Sequence, residues 1–586
     1  MNIETDLRQR ILRERAREQI VTADEVYQRI VAGQVVRAVG NLLFHTAPSE
    51  LDEKLNAVLD KLSEAYMSAE IGLQIYILDF LVKLCVGLYS FLPNWIILRQ
   101  LHTNEIADLA AKVSSGLAKL IRAGTKAPAE LTARLRKETI ARLKAEGIGD
   151  EAEAVAEADR LQGDTLVDYV SNIVNELRSS NLIEVARSRL QDETQTQPAL
   201  RPADQLGNDY AAFLQYVIWL GGSFVTTNPV LIKLAWDIDP ELWNKRVGDL
   251  IVSKYTQAEL NELLRGPERK LNTAIAIINS MVTMAVVEEN CRLLRDIFLV
   301  TQGREGYVSL QVNPRNHDDC EQMVTEARNL YAYLQERLGG VPNVVFKLPA
   351  TAAGKCAAGK LTSEGIGVTI TVQFAVFQAS GFAEVLDKGK MLVAYLALMN
   401  GRMAYPVRDE MKEKSIEGGV EAARWAGVEV ARKTYRRLYE PPEKGGMGID
   451  PQRVKLLIAS LRIYEDWIPD ISELWGCPVI TIFPNVRREF DSRPRDFAAK
   501  AVLRTTPTKE METLFKSEIF RQAWWVPGDP AEYKPERALT LDPKDSEALA
   551  KWPPVSNTLG QFIDLYEKMG ERVKERIQHI VASNRD

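Results

Sequence analysis

The sequence is poor in the residues that hold metal ions. Its 586 residues include four histidines and five cysteines, with no C-x-x-C pair and no His/Cys cluster. A structural or catalytic metal centre needs such a cluster of ligands, so we expect none. Nor is there a block of like charge: the net charge is −6, which argues against a nucleic-acid-binding surface. A small anionic substrate would need locally placed arginines.

The cysteines are scattered and odd in number: Cys85, Cys291, Cys320, Cys356 and Cys477. This pattern predicts reduced thiols in a cytoplasmic protein rather than a disulfide framework. The N-terminal stretch MNIETDLRQRILRERAREQ contains acidic residues and no apolar core, so it does not predict a secretory signal.

A long uncharged apolar run is also missing. The most apolar segment, residues 71–98, is interrupted by Asp79, Lys83 and Pro93, whereas a membrane span needs about 20 nearly uncharged residues. We therefore predict a buried helix pair here and no membrane association.

What the chain does contain is a change of pattern near residue 195. Residues 1–195 are predicted to form a helical N-terminal domain: in PAELTARLRKETIARLKAEG, for example, Pro128 suits a first helical turn and three leucines fall on one stripe. The polar, proline-bearing stretch at residues 192–202 is the predicted linker. Residues 492–586 are predicted to be further helices packed on the preceding domain.

Between these regions, short apolar runs alternate with amphipathic helical stretches. The predicted strands are SFVTTNP, YVSLQVN, NVVFKLPA, GVTITVQF, MLVAYLALM, VKLLIASL and PVITIFP, with a weaker first strand within residues 198–210. Nearly continuous apolar runs are typical of parallel strands covered by helices. We therefore predict an α/β fold, a (β/α)8 TIM barrel over residues 196–491, with its site at the carboxyl ends of the strands.

The stretch GKCAAGKL, residues 354–361, has the spacing of a phosphate-binding P-loop. Leu361, however, occupies the place where Ser or Thr must reach magnesium, and the glycines do not form one tight loop between a strand and its helix. Small residues that let a helix pack closely on its strand are the better interpretation.

The stretch NVVFKLPAT places Lys347 inside an apolar run. Because a low dielectric disfavours the charged amine, such a lysine tends to lose its proton and become a nucleophile. The alternative is a lysine that reaches solvent from a strand end. Together with TTNP and ASLR followed by GCPVITIFP, in this order, the stretch KLPAT resembles the transaldolase family, including fructose-6-phosphate aldolase, over residues 204–490.

The resemblance implies a role for each residue at a strand end. Lys347 would form a Schiff base with a ketose, and Thr371 would position a catalytic water, its alternative being a core-facing strand residue. Thr227 and Asn228 of TTNP would bind substrate hydroxyls, with a turn residue before proline as the alternative for Asn228. The predicted phosphate clamp consists of Arg402, Ser460 and Arg462.

The strand-1 aspartate of the family is matched by Asp209, with Asp204 as the competing position. Gln311 stands where transaldolases carry a glutamate, and it can orient water but cannot titrate. Fructose-6-phosphate aldolase also has glutamine there and uses a tyrosine on strand six, where this chain has Met399. Tyr395, on the same strand face, is a candidate substitute. The family's strand-six serine is replaced by Ala397.

Three functions follow from this resemblance. The leading hypothesis is transfer of a dihydroxyacetone unit between sugar phosphates, without a cofactor. The second is simple aldol cleavage or synthesis, and the third is a sugar-phosphate-binding regulatory protein. A homo-oligomer is expected because added helices often build interfaces.

Overall fold

The computed structural model describes residues 2–90, 101, 103–181, 205–208, 222–465, 467–495, 498 and 500–583. The predicted linker lies outside these ranges. The N-terminal region is helical, as predicted. Its helices, α1 to α9 in order, are Ile3–Glu18, Ala23–Val31, Val35–His45, Pro48–Tyr66, Ile71–Ser90, Thr103–Ile121, Ala127–Ala145, Glu151–Gln162 and Leu166–Arg178.

The amphipathic pattern of α7 explains how it packs. Pro128 lies in the first turn, where its missing N–H breaks no helical hydrogen bond. Leu131, Leu135 and Leu143 are all buried, so the predicted stripe faces the core.

Helix α5 is the apolar segment noted in the sequence. Its length and hydropathy, like those of Glu268–Leu293, would suffice for a membrane span, but 67% of its apolar window is buried inside the protein. Asp79 within α5 is buried and pairs with Lys83 and, at 2.8 Å, with Arg134. Such burial is typical of a core helix. The second helix of the predicted pair falls outside the described residues.

Eight parallel strands close into a barrel, which confirms the predicted fold class. Strands β1 to β8 are Gln205–Asn208, Phe224–Thr226, Tyr307–Gln311, Val344–Pro349, Val368–Gln373, Ala394–Leu398, Val454–Ile458 and Val479–Ile482. Each strand pairs with the next, and β1 pairs with β8. The weak first strand is thus confirmed within residues 198–210.

Helices surround and extend the barrel. Those between the strands and directly after β8, α10 to α22, are Pro229–Ile238, Pro240–Lys254, Gln257–Arg265, Glu268–Leu293, Arg295–Val300, Cys320–Leu338, Ala352–Ser363, Val376–Asp387, Asn400–Glu413, Gly419–Ala423, Ala426–Tyr439, Pro469–Ser472 and Pro484–Asp491. The predicted C-terminal helices, α23 to α26, are Thr508–Leu514, Glu518–Trp524, Ser546–Lys551 and Pro553–Ser583.

The N-terminal helices share buried surface with the barrel. Leu7 and Ile11 of α1 belong to the same apolar cluster as Phe298 and Tyr307, which lie at the amino end of the strands. Because strands alternate their side chains, Phe224, Tyr307 and Tyr395 point to the barrel interior and stack as an aromatic layer, with Phe224 and Tyr395 centroids 4.3 Å apart. Helix α1 therefore closes the end opposite the predicted site.

The segment GKCAAGKL lies within helix α16, so it does not form a phosphate-binding loop. A Cβ on Gly354 would lie only 1.9 Å from the carbonyl oxygen of Pro349 in β4. The glycine thus allows the helix to approach its strand, as the sequence indicated.

The prediction of reduced cysteines is wrong for one pair. Cys320 and Cys356 form a disulfide, while Cys85, Cys291 and Cys477 are buried free thiols. Helices α15 and α16 follow consecutive strands and pack side by side, which brings the two Cα atoms to 5.9 Å. Because disulfides are rare in cytoplasmic proteins, the cysteine pattern no longer supports that location.

Candidate active site

Lys347 lies near the carboxyl end of β4 and is 6% exposed. Its neighbours in the ladder are Gln311 on β3 and Thr369 on β5. Val345, two residues earlier, packs in the interior cluster of the barrel. Since side chains alternate along a strand, Lys347 also points to the barrel interior, near the carboxyl ends of the strands.

A cavity of about 440 Å³ opens at this end of the strands. Lys347 lines it together with five of the other predicted site residues: Asn228, Thr371, Arg402, Ser460 and Arg462. Such a volume is within the range of about 300–1,000 Å³ typical of small-molecule sites. The cavity can therefore hold a sugar phosphate.

Two predicted residues stand apart from this cavity, and a third cannot be placed. Thr227 is buried and does not line it, whereas Thr226 and Asn228 on either side do. Gln311 lines two smaller cavities instead. Asp209 and its competitor Asp204 lie outside the residues described. Alternation along the strand could have identified Thr226.

One of the small cavities, about 20 Å³ in volume, adjoins Lys347. Gln311 and Thr371 line it as well, and so does Phe562 of α26. The side-chain oxygen of Gln311 is buried without a hydrogen-bond partner among the described atoms. One water needs roughly 10–15 Å³ and polar partners, so this cavity suits a single water beside the lysine.

The second small cavity lies on the other side of Gln311. It also measures about 20 Å³ and is bordered by Asn228, Glu326 and Tyr566. Glu326 accepts two hydrogen bonds from the backbone N–H of Asn313, at 3.0 and 3.1 Å, and burial raises its pKa. A carboxyl group thus borders the same glutamine from helix α15.

A backbone irregularity at the end of β5 turns Val372 to the same side as Thr371. The register with β6 shifts between Ile370 and Gln373, and Val372 has a φ of 55°, a left-handed conformation that β-branched residues rarely adopt. Buried Gln378 supports it: its amide donates to the carbonyls of Ala350 and Val372 at 3.0 and 3.3 Å. Two consecutive residues, Thr371 and Val372, consequently face one cavity.

Asn228 lines the cavity and caps the helix that follows β2. Its side-chain oxygen accepts a hydrogen bond from the backbone N–H of Leu231 at 3.1 Å and so caps helix α10. With the oxygen engaged, its amide group is the end that can donate to a ligand.

The predicted clamp residues follow β6 and β7. Arg402, in the first turn of α18, donates to Gln561 of α26, and its guanidinium lies 5.7 Å from the ring of Phe562. Ser460 has a left-handed φ of 61°. Arg462 donates to the carbonyls of Ser460 and Leu461 at 3.0 and 2.9 Å.

Asp470 fixes the backbone of this clamp. It is buried, accepts a hydrogen bond from the backbone N–H of Arg462 at 2.7 Å, and accepts another from the side chain of Asn400. Burial raises the pKa of Asp470 to about 6.

Comparisons with known proteins identify the family. The family model described as transaldolase/fructose-6-phosphate aldolase matches residues 204–524. The chain belongs to this family. A transaldolase of Frankia alni is 27% identical over 339 residues, which cover 51% of this chain and 84% of that protein. Transaldolase 1 of Streptomyces avermitilis is 34% identical over 30% of this chain and 37% of its own length. A Neisseria meningitidis transaldolase is 25% identical over 44% of this chain and 71% of its own length.

The strand-six departures from the family pattern can be located in the structure. Ala397 and Met399 line the main cavity, and the Thr371 hydroxyl donates to the Met399 sulfur at 3.7 Å. Tyr395 is fully buried in the aromatic layer below and lines neither the main cavity nor the two small ones. Tyr395 is therefore not placed to substitute for the family's tyrosine.

Among the cavity-lining residues that the sequence did not indicate, two come from outside the barrel, Phe562 and Lys144. Phe562 comes from α26, beyond the segment that the family model matches. Lys144 comes from α7, in the part of the chain that the family model does not match. No local signal in the sequence indicates that α7 reaches the barrel mouth.

Proposed function

We propose that this protein transfers a dihydroxyacetone unit between sugar phosphates through a Schiff base on Lys347. The observation that carries the proposal is the shared cavity. It is lined by Lys347 at the end of β4, by Asn228 just after β2, and by Arg402 and Arg462 after β6 and β7. Membership of the transaldolase family supports the same reaction class.

In the proposed reaction, the Nζ of Lys347 attacks the carbonyl carbon of a ketose phosphate as a neutral amine, and water leaves to give an iminium ion. A base removes the proton of the C4 hydroxyl, and the C3–C4 bond breaks because the iminium accepts its electron pair. The aldose phosphate departs and a three-carbon enamine stays on the lysine. Addition to the aldehyde carbon of a second aldose phosphate and hydrolysis of the iminium complete the transfer.

The remaining residues bind and orient. Arg402, Ser460 and Arg462 would hold the phosphate through charge-assisted hydrogen bonds, with Gln561 giving up its bond to Arg402 when substrate enters. The amide of Asn228 would donate to a substrate hydroxyl. A water between Gln311 and Thr371 would transfer protons during the reaction, because the side chain of Gln311 does not titrate.

Aldol cleavage or synthesis without transfer is the second candidate, and Gln311 is the residue that favours it. Transfer requires the enamine to stay unprotonated until a second aldehyde arrives, whereas cleavage requires efficient protonation. Free dihydroxyacetone released from fructose 6-phosphate, measured with and without erythrose 4-phosphate, separates the two. Release that is independent of the aldehyde would favour cleavage.

Borohydride reduction tests the Schiff base itself. With fructose 6-phosphate, the wild-type protein should gain the mass of one reduced three-carbon unit, located by peptide mapping at Lys347. Lys347→Met should gain none, while Lys360→Met, an exposed lysine on the helix that follows β4, should be labelled like the wild type. Labelling that persists in Lys347→Met would overturn the mechanism. If no variant is labelled, the regulatory binding protein becomes the better account.

A further inference from the structure

The N-terminal helical region forms part of the wall of the main cavity. Lys144 and Ala145, at the end of α7, and Gly147 just beyond line it together with Lys347 and the clamp. These residues precede the segment that the family model matches, residues 204–524. The wall on this side is therefore an addition to the family's barrel.

An ion pair from a buried glutamate holds the end of α7 to the barrel. Glu146 is buried between Arg142 of α7, at 3.2 Å, and Arg488 of α22, at 3.3 Å. A Cβ on Gly147 would contact the Cβ of Asn485 at 3.4 Å. Since α22 follows β8 directly, the end of α7 is fixed against the carboxyl end of that strand.

A second contact comes from the end of α9. Ser180 donates to Asp491 at 2.8 Å, and the amide of Asn181 donates to the carbonyls of Phe490 and Arg493 at 2.8 and 2.6 Å. The N-terminal region thus contacts both ends of α22. Several interactions, not one hydrogen bond, therefore hold this region at the mouth of the barrel.

The charge of the cavity wall suits an anion. Among the described residues that line it there are four basic ones, Lys144, Lys347, Arg402 and Arg462, and no aspartate or glutamate. The proposed function uses Lys347 as the nucleophile and the two arginines as the clamp. Lys144 is the cation left without a role.

Lys144 already has a partner that an anionic ligand could displace. It pairs with Glu151 at the start of α8, whose side chain is 67% exposed. Exposed ion pairs contribute little, about 0–1 kcal/mol. A phosphate group in the cavity can therefore compete for the ammonium group.

Lys144 approaches from the part of the rim beside the clamp. The cavity-lining residues near it in the fold are Asn485 after β8 and Leu231 and Leu234 of α10 after β2. The ends of β8, β1 and β2 form this part of the rim, and β8 pairs with β7, so it borders the part of the rim that carries the clamp. An anion between Lys144 and the clamp would be held from both.

We propose that Lys144 of the N-terminal helical region binds the phosphate-bearing end of the substrate together with Arg402 and Arg462. This inference rests on the proposed function for the identity of the substrate. It assigns to the added helices a direct part in recognising anionic sugars.

Equilibrium binding of inorganic phosphate, measured by calorimetry, tests the proposal without turnover. Lys144→Met should weaken binding about tenfold, because a charge-assisted hydrogen bond is lost, and Lys144→Arg should restore most of it. Glu151→Gln should tighten binding severalfold, since the competing carboxylate is removed. Lys137→Met is the matched control: Lys137 lies on the same helix, pairs with exposed Glu241 and does not line the cavity.

Unchanged binding in Lys144→Met, an equal loss in Lys137→Met, or no measurable binding to the wild type would each overturn the proposal. Borohydride trapping with dihydroxyacetone, which carries no phosphate, should be the same in Lys144→Met and wild type. Loss of trapping in the variant would indicate a structural effect instead and would equally overturn it. Failure of trapping in the wild type would count against the Schiff base alone, and the phosphate measurement would still decide the role of Lys144.

Discussion

Asp470 is a single buried carboxyl group on which the geometry of the clamp depends. It holds the backbone N–H of Arg462 and the side chain of Asn400. Burial raises its pKa to about 6 from the ordinary 3.8. Between these two values the folded protein binds a proton that the unfolded chain does not.

We predict that this residue makes the protein less stable as pH rises. The stabilisation is fully present below the unfolded pKa near 3.8 and is lost as pH increases through about 6. Asp470→Asn removes the ionisation and keeps a side-chain oxygen for Arg462. Relative to this variant, the wild-type free energy of unfolding should fall by about 2 kcal/mol between pH 4 and pH 7.

Urea unfolding at several pH values measures the difference. Asp409→Asn, a substitution of a 62% exposed aspartate, controls for the general effect of losing a carboxylate. A wild-type curve that stays parallel to that of Asp470→Asn across this range would contradict the prediction.

The site residues at strand ends could be predicted from the local sequence around each of them. Lys347, Thr371, Arg402, Ser460 and Arg462 each follow or end an apolar run, and parallel strands bring all such ends to one face. The left-handed backbone at Val372 could not be foreseen, since valine disfavours it and regular alternation was the natural assumption.

At the scale of elements, the disulfide joins the helices that follow β3 and β4. Cys320 is the first residue of α15, and Cys356 lies within α16 and is exposed. These strands carry Gln311 and Lys347. The spacing of 36 residues gave no hint of the bond, because pairing depends on two helices lying side by side.

We predict that the unfolded, unreduced protein contains three titratable thiols, those of Cys85, Cys291 and Cys477, and that reduction raises the number to five. Cys356→Ser should show four without reductant, because Cys320 is released. Cys477→Ser should show two. Five thiols in the unreduced wild type, assayed in denaturant with a thiol reagent, would contradict the bond.

The elements themselves were predictable to different degrees. Seven strands were predicted from apolar runs between amphipathic helices, and all seven are present. The first strand, Gln205–Asn208, is short and has few apolar residues, so only the need for an eighth strand indicated it. The contacts of α7 and α26 with the cavity could not be predicted, since they join segments far apart in the chain.

At the scale of the whole molecule, Glu146 at the end of α7 joins the helical region to the barrel by its ion pair with Arg488 of α22 at 3.3 Å. Arg142 is 2% exposed and pairs with Glu146 at 3.2 Å and Glu176 at 2.7 Å. Removing one partner of a buried pair leaves the other charge uncompensated, which is costly.

We predict that Arg142→Met lowers the free energy of unfolding by about 3 kcal/mol. Arg136→Met, on the same helix, removes an exposed pair with Asp159 and should cost less than about 1 kcal/mol. Urea denaturation followed by circular dichroism measures both. Equal costs for the two variants would show that the buried pairs of Arg142 stabilise the protein no more than an exposed pair does.

The pairing of β1 with β8 has a consequence for how the chain folds. Gln205 meets Val479 in the ladder, so the barrel cannot close until nearly the whole sequence has been synthesised. Until then the outer edges of β1 and β7 are open to other chains. Refolding should therefore be slow, and its yield should fall as protein concentration rises.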